Sequence, residues 1–240
     1  MYARFQPCKW EIMRTGKRYR ELSKLIDKDK VYSLEEAVNL VKKTANAKFD
    51  ETIELCLRLG IDSKRQDQIV RGIVLLPHGT GKSKVVAVVV KGEKAKEAEK
   101  AGADFVGGED LIEKIAKEEI KFDVVIATPD SMRDLSKLGK ILGPKGLMPS
   151  PKTGTVTFEI ADAIKKIKAG QVEFRTDSYG IIHLSVGKAS FDETKLVENI
   201  NTVIGEVQRV RPPTVKGQYL RSISVSSTMG PGIKVNLPKI

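Results

Sequence analysis

The sequence predicts a mixed α/β fold in which an antiparallel-sheet domain, split between the two ends of the chain, carries an inserted parallel α/β domain. Apolar and polar residues alternate in short segments near both ends, as in half-buried antiparallel strands. The middle instead has a continuous β-branched strand and a strand–helix–strand order. The pattern changes near Gly79 and Gly170. We therefore expect residues 1–79 with 171–240 to form one domain and residues 80–170 the other.

The composition favours a soluble protein with a negatively charged partner. The chain has 240 residues, 42 Lys and Arg against 31 Asp and Glu, and a formal net charge of +11. A hydrophobic content of 40% suffices for folded cores, whereas apolar runs such as Val85–Val90 are far shorter than the ~20 residues of a membrane helix. Cys8 and Cys56 match no disulfide framework or metal-ligand spacing, which is typical of a reducing compartment.

The positive charge is concentrated in two segments. Residues 1–20 contain six Lys and Arg against Glu11, and residues 131–152 contain five against Asp134. Such clusters suit contact with phosphates. An ordinary solvated surface is the alternative reading.

The first twelve residues, Met1–Ile12, contain no secretory apolar core. Met13 offers a second possible start. We hypothesise that Met1–Ile12 is a dispensable upstream extension, and we assign it no role.

The first segment predicts one helix and two strands. Ser33-Leu34-Glu35-Glu36 is a capping box, and Val38 and Val41 follow it on one helical face. Thr52–Leu59 alternates and predicts a half-buried strand, and Ile69–Leu76 predicts a second strand.

The middle segment predicts parallel strands with crossover helices. Val85–Val90 is β-branched throughout, as in a parallel strand covered on both faces. The remaining predicted elements are helices over Glu93–Lys100, Leu111–Lys117 and Ala161–Lys168, and strands over Asp104–Val106 and Val124–Ala127.

After Gly170 the antiparallel pattern returns. Gln171–Arg175 and Ile181–Val186 flank a glycine-containing loop of hairpin length. Ser190-Phe191-Asp192-Glu193 predicts a second capping box and helix. The last two predicted strands are Tyr219–Ser226, with Ser222, Ser224 and Ser226 on its outer face, and Ile233–Asn236.

Gly79-Thr80-Gly81-Lys82-Ser83 is similar to a phosphate-binding P-loop. That motif needs a glycine where Leu76 stands and a following helix, whereas a strand is predicted here. A turn between domains is the simpler interpretation. The alternative is a nucleotide-dependent RNA enzyme that uses Gly79–Ser83.

Gly139–Gly154 contains four glycines, three prolines and the cations Lys140, Lys145 and Lys152. We expect this segment to form no hydrophobic core. A basic loop of this kind can follow an RNA backbone, with Leu142, Leu147 and Met148 as apolar anchors. A flexible surface loop is the alternative.

Nothing in the sequence assembles a catalytic or metal site. His78 and His183 have no carboxylate or cysteine at triad or ligand spacing, and no nucleophile, base and oxyanion donor occur together. We expect no catalytic residue, no metal and no cofactor.

Nine segments together resemble the ribosomal protein L-one family of the large-subunit stalk, in a form that looks bacterial. The resemblance extends in order from about Gly16 to Asn236. The matching segments are Lys48–Leu55, Val70–Gly72, Leu76–Lys82, Ala101–Asp104, Ala127–Asp130, Leu142–Pro149, Gly154–Thr157, Gln171–Arg175 and Ser227–Gly232.

The resemblance implies that the split domain binds large-subunit rRNA and that the inserted domain is Rossmann-like. It places one group of residues on the main RNA-binding face: Phe49, Thr52, Thr228, Met229 and Gly230. It gives a supporting role to a second group: Lys48, Asp177, His183 and Ser222. It also implies contact with deacylated transfer RNA at the exit site, repression of the protein's own messenger, a monomer when free, and a cytoplasmic, ribosome-associated location without membrane contact.

Overall fold

The computed structural model describes residues 16–27, 30–62, 65–90, 94–117, 120–215 and 217–237. The hypothesis about Met1–Ile12, including the alternative start at Met13, falls outside the described residues.

Strands and helices are distributed along the whole described part of the chain. The strands are β1 (Thr52–Leu59), β2 (Arg71–Leu75), β3 (Val86–Val89), β4 (Phe105–Gly107), β5 (Val124–Ala127), β6 (Gln171–Arg175), β7 (Ile181–Lys188), β8 (Leu220–Ser227) and β9 (Ile233–Val235). The helices are α1 (Lys17–Ser23), α2 (Leu34–Thr44), α3 (Lys94–Lys100), α4 (Glu109–Ala116), α5 (Met132–Ser136), α6 (Gly139–Leu142), α7 (Ile160–Lys168) and α8 (Glu193–Arg209). Three short 3₁₀ turns lie at Gln66–Gln68, Pro129–Ser131 and Pro151–Thr153.

Both ends of the chain build one four-stranded antiparallel sheet in the order β7–β1–β8–β9. Along β1, Ile53, Leu55 and Leu57 are fully buried, while Glu54 and Arg58 are exposed. Helices α2 and α8 pack on the apolar side, where their own inward residues complete a single core with the sheet. The predicted half-buried strand is confirmed, and its period of two decides which face is polar.

The predicted pairing of Gln171–Arg175 with Ile181–Val186 as a hairpin is wrong. Strand β6 pairs with β2 in a separate two-stranded sheet, and β7 pairs with β1. A single bridge joins Thr176 to Ile182. The loop between β6 and β7 is held by the Asp177 carboxylate, which accepts the N–H groups of Tyr179 and Ile181. Because β6 and β7 belong to different sheets, this loop connects the two sheets.

The middle of the chain forms a parallel sheet in the order β4–β3–β5. Val86 and Val88 face a core completed by α3 and α7, and Ala87 and Val89 face a second core completed by α4, α5 and α6. Because both faces are covered, the strand has no polar side, and the prediction from its β-branched run is confirmed.

One of the two predicted capping boxes is present. The Ser33 hydroxyl accepts the N–H of Glu36 at 3.3 Å, and the Glu36 carboxylate accepts the N–H of Ser33 at 3.3 Å. The capping box predicted at Ser190 is wrong because α8 begins after Asp192. The Ser190 hydroxyl donates instead to the Asp50 carboxylate at 3.0 Å.

The expectation that Gly139–Gly154 contributes no core is also wrong. Leu142 is 1% exposed on α6. Leu147 and Met148 are half-buried against the same core, which confirms the three predicted anchors.

Two chain segments cross between the antiparallel and parallel sheets and touch at glycines. Gly79 and Gly170 have φ of +65° and +110°. A Cβ atom at Gly170 would lie 2.4 Å from the Gly79 Cα atom, so only glycine permits this approach. The chain therefore leaves and re-enters the antiparallel part at one point. None of the helices in the described ranges is long and apolar enough to cross a bilayer.

Candidate functional site

The four-stranded sheet has one polar side, which we call the open face. It consists of the outward-facing residues of the three strands β7, β1 and β8: His183, Ser185, Glu54, Cys56, Arg58, Ser222, Ser224 and Ser226. Directly opposed pairs include Cys56 with Ser224 and Arg58 with Ser222. The predicted row of serine hydroxyls on β8 is confirmed. A surface of this kind offers hydrogen-bonding groups at the regular spacing of the strands.

Two loops meet at the end of this sheet where β1 begins and β8 ends; we call residues 46–51 and 228–230 the paired loops. Thr228 joins them to the sheet. Its hydroxyl accepts the Thr52 N–H at 2.9 Å and donates to the Thr52 carbonyl at 3.1 Å, and the Thr228 N–H donates to the same carbonyl at 3.0 Å. Both loops are therefore fixed relative to the open face.

A buried carboxylate ties the paired loops to each other. Glu51 is 1% exposed. Its two oxygens accept the Ala47 N–H at 2.9 Å and the Met229 N–H at 3.1 Å. Burial raises the pKa of the Glu51 carboxyl, but the nearby Ser227 hydroxyl, the hydrogen bonds from the Ala47 and Met229 N–H groups and the Arg18 guanidinium outweigh it and leave the pKa below its ordinary value. The carboxylate is thus the stable form.

The paired loops present large apolar side chains to solvent. Phe49 and Met229 are each 54% exposed, although both come from segments held by Glu51. Gly230 is enclosed, since a Cβ atom there would lie 2.4 Å from the Ser227 Oγ atom. These two apolar side chains are therefore available for contact with a partner, and an aromatic ring in such a position can stack on a nucleic-acid base.

Positive charge lies next to the paired loops. Arg18 on α1 donates to the Met229 carbonyl at 3.0 Å, and Lys188 at the end of β7 donates to the Asp50 carbonyl at 3.1 Å. Lys48 is exposed within the first loop. The structure thus brings six of the predicted site residues together with these cations: Lys48, Phe49, Thr52, Thr228, Met229 and Gly230.

Three further predicted residues lie on the other half of the sheet. Asp177, His183 and Ser222 are near the end of β1, about 13 Å or more from Thr52 at a rise of ~3.3 Å per residue. His183 Nε2 is 3.8 Å from Asp177 Oδ2. The pKa of the Asp177 carboxyl is lowered by the Ile181 N–H and, less strongly, by the Tyr179 N–H and His183.

Lys140, Lys145 and Lys152 do not join either group. They lie on α6, on the turn after it and on the 3₁₀ turn Pro151–Thr153, all in the parallel-sheet part of the chain, and all three are exposed. The turn that contains Lys152 packs against β2.

His78 and His183 have no carboxylate or cysteine at a suitable spacing in the sequence, but each contacts one of these groups in the folded structure. His183 Nδ1 is 3.3 Å from the Cys56 sulfur, and His78 Nε2 is 2.6 Å from a Glu198 carboxylate oxygen. These partners are 127 and 120 residues distant in sequence, so spacing could not reveal them. Burial and the nearby Glu54 raise the pKa of the Cys56 thiol. A thiolate is the nucleophilic form of cysteine, and this shift of the pKa disfavours the thiolate of Cys56.

Three residues of the site were not predicted from the sequence: Glu51, Arg18 and Lys188. The sequence did contain a signal for Glu51. It lies two residues before Ile53 and four before Leu55, so the alternation of the strand puts its carboxylate on the buried, apolar side. The contacts of Arg18 and Lys188 are with distant loops and have no local signature.

The Gly79–Ser83 segment lacks the helix that a P-loop requires. Gly81 has a φ of +71°, and the chain continues through Lys84 and Val85 into β3. The expected following strand is confirmed, and the positive φ of Gly81 agrees with a glycine turn, whereas the position of this turn between two domains stays a prediction. Within the described ranges, no group of three or more His, Cys, Asp or Glu side chains is placed to hold a metal ion.

A family model described as the ribosomal protein L1p/L10e family matches residues 41–231. The match covers most of the chain. It includes the paired loops, the open face and the parallel sheet.

Proposed function

Because the chain belongs to the ribosomal protein L1p/L10e family, we propose that it forms the mobile stalk of the large ribosomal subunit, near the transfer-RNA exit site. The family is one of structural ribosomal proteins rather than enzymes, and membership makes the chain a ribosome-associated protein that binds RNA of the large subunit. In this proposal the paired loops and the open face contact a folded junction of that RNA, the chain is cytoplasmic, and it is a monomer when free.

The observation that carries the proposal is the support beneath the exposed Phe49 and Met229. Glu51 and Thr228 fix both loops through hydrogen bonds of 2.9–3.1 Å. A rigid site loses little conformational entropy when it binds. RNA recognition uses stacking on aromatic rings, contacts with 2′-hydroxyls and overall shape, and these loops with the serine row supply the matching groups.

Cations near the site account for affinity, and the fixed polar groups account for selectivity. Lys48, Arg18 and Lys188 can neutralise phosphates, which makes RNA binding steeply dependent on salt. A wrong RNA leaves buried donors or acceptors unpaired at a cost of about 1–3 kcal/mol each. We assign Asp177, His183 and Ser222 to the second half of the same RNA surface.

We further propose that deacylated transfer RNA and the protein's own messenger are partners. A messenger segment folded like the rRNA junction would occupy the same loops and repress translation. This predicts that the rRNA fragment and the messenger segment compete for the protein, whereas transfer RNA is contacted only in the assembled ribosome. Lys140, Lys145 and Lys152 are assigned to a lesser RNA contact from the parallel-sheet part.

Removing the Phe49 ring is expected to weaken rRNA binding by about 1–3 kcal/mol, the typical contribution of one stacked base. The measurement is a filter-binding titration of Phe49→Ala with an rRNA junction fragment. Phe158→Ala is the matched control, since Phe158 is 57% exposed but lies before α7. Equal affinities for Phe49→Ala and the wild type would move the site away from the paired loops.

Deleting residues 80–170 and joining Gly79 to Gln171 is expected to leave a folded domain that keeps most of the RNA affinity. Gly170, which directly precedes Gln171, already lies against Gly79, since a Cβ atom on Gly170 would be 2.4 Å from the Gly79 Cα atom, so the new bond needs little rearrangement. Circular dichroism and the same titration measure the outcome. An unfolded product would contradict the proposed division into residues 1–79 with 171–240 and residues 80–170.

A further inference from the structure

A crevice between the antiparallel and parallel parts of the chain has a basic lining, of which only Ser185 and Lys188 belong to the RNA site described above. It has a volume of about 610 Å³ and contains the Gly81-Lys82-Ser83 segment on one side and Ser185 and Lys188 of β7 on another. Lys84 and Asp123 complete its charged groups. Three lysines and one aspartate therefore line the crevice.

The single carboxylate is already engaged. The Asp123 carboxylate accepts the Val85 N–H at 2.9 Å. The ammonium of Lys84 donates to the Gln171 carbonyl, and that of Lys188 donates to the Asp50 carbonyl at 3.1 Å. A lysine ammonium has three donors, so each keeps further N–H groups for a ligand in the crevice.

Backbone geometry places the segment that carries Lys82 and Lys84 against the end of β7, where Lys188 lies. A Cβ atom on Gly81 would lie 2.8 Å from the Lys188 side chain and 3.1 Å from the Phe191 ring. Glycine thus allows the segment to lie directly against β7, with Lys82 and Ser83 next in the chain. The side chain of Lys82 is exposed, and that of Lys84 is half-buried.

The electrostatic balance favours an added anion. Burial lowers the pKa of the Lys84 ammonium, and Asp123 opposes this only in part. An ammonium that burial destabilises gains from a new negative neighbour. Hydroxyl groups of Ser83 and Ser185 lie in the same lining and are suitable donors to a phosphate oxygen.

The crevice is continuous with the RNA site. Ser185 is itself a residue of the open face, and Lys188 is the register partner of Thr52. We propose that the crevice binds a phosphate group, with Lys82, Lys84 and Lys188 as its cationic contacts. The group is supplied either by the backbone of the RNA bound on the open face, a source that rests on the proposed function, or by a free polyphosphate.

The experiment uses the full chain with Lys82→Gln, because this exposed side chain can change without loss of the fold. Lys165→Gln removes the same charge from an exposed position on α7 and serves as the control. In the first arm, pyrophosphate is titrated into each protein, and backbone amide NMR shifts are followed. We expect saturable shifts at Gly81–Lys84 and at least fivefold weaker binding for Lys82→Gln only.

In the second arm, rRNA-fragment affinity is measured between 50 and 200 mM salt, within the range where phosphate contacts dominate the slope. If RNA supplies the phosphate, the slope of log K against log salt falls by about 0.7–1 for Lys82→Gln and is unchanged for Lys165→Gln. Pyrophosphate binding with an unchanged slope assigns the site to free polyphosphate.

The absence of both effects would overturn the proposal. If the wild-type protein fails to bind the rRNA fragment, the proposed function fails. The pyrophosphate arm alone then decides about the crevice: shifts at Gly81–Lys84 that Lys82→Gln weakens support it, and their absence refutes it.

Discussion

Glu51→Gln is expected to lower both the rRNA affinity and the free energy of unfolding, the latter by about 2–3 kcal/mol. The amide keeps the shape of the side chain but can accept through one oxygen only. Its NH₂ group faces either the Ala47 N–H or the Met229 N–H, which the carboxylate now satisfies at 2.9 and 3.1 Å. One of the paired loops therefore loses its tether, and Phe49 and Met229 are no longer held in a fixed relation.

The pH dependence of this variant gives an independent check. The folded-state pKa of Glu51 lies below its ordinary value of 4.5. The stability from the carboxylate is thus fully present above pH 4.5 and is lost as the pH falls through the lower folded-state value. Urea denaturation of the wild type and Glu51→Gln should show a difference in the free energy of unfolding that is constant at neutral pH and shrinks in this acidic range.

Glu54→Gln is the matched control for Glu51→Gln. Glu54 is exposed on the open face, three residues along the chain. Its replacement by Gln removes the same charge from the same region of β1 but breaks no hydrogen bond to a loop. We therefore expect an unchanged free energy of unfolding. RNA binding should be equal or slightly tighter, because one charge that repels phosphate is lost. If Glu51→Gln and Glu54→Gln have the same RNA affinity and the same free energy of unfolding, Glu51 acts through its charge alone. That result would contradict the proposal that its hydrogen bonds hold the paired loops.

The parts of the fold that the sequence predicted correctly are those with a local periodic cause. The alternation in Thr52–Leu59 reflects a strand with one solvent-exposed face and one buried face, and the β-branched run Val85–Val90 reflects a strand with both faces buried. The capping box at Ser33 is likewise local, since both of its hydrogen bonds join residues three apart. Each signal depends on neighbours within a few residues.

The errors concern choices among partners that are distant in sequence. The loop after β6 is short enough for a hairpin, but β6 has a better partner in β2, about 100 residues earlier. Ser190 fits a capping box, yet its hydroxyl is used by Asp50, 140 residues away. Local propensity could not decide between these competing partners.

The candidate site shows the same division. The resemblance supplied Phe49 and Met229, and the structure confirms that both are exposed. It could not supply the reason for their exposure, which is the buried Glu51, nor the pairing of Cys56 with His183 across two strands. Whether these residues bind RNA stays a prediction for the titrations above.

Asn199→Leu is expected to produce the largest loss of stability, about 3 kcal/mol or more. Asn199 is fully buried on α8. Its amide NH₂ donates to the Gly79 carbonyl at 3.1 Å and the Val186 carbonyl at 2.8 Å, and its oxygen accepts the His78 N–H at 3.2 Å. Leucine of similar size leaves all three backbone groups without that partner, and an unpaired buried polar group costs about 1–3 kcal/mol.

The position of Asn199 makes this variant a test of how the crossing segments are held. One side chain joins α8 to β7 and to the Pro77–Gly79 turn, where the chain leaves the antiparallel part. Urea denaturation measures the loss, and Asn201→Leu is the control because Asn201 is exposed on the same helix; its effect should stay within about 0.5 kcal/mol. A loss for Asn199→Leu no greater than that for Asn201→Leu would show that the turn is fixed by other contacts, with the 2.6 Å contact between His78 Nε2 and the Glu198 carboxylate as the first to examine.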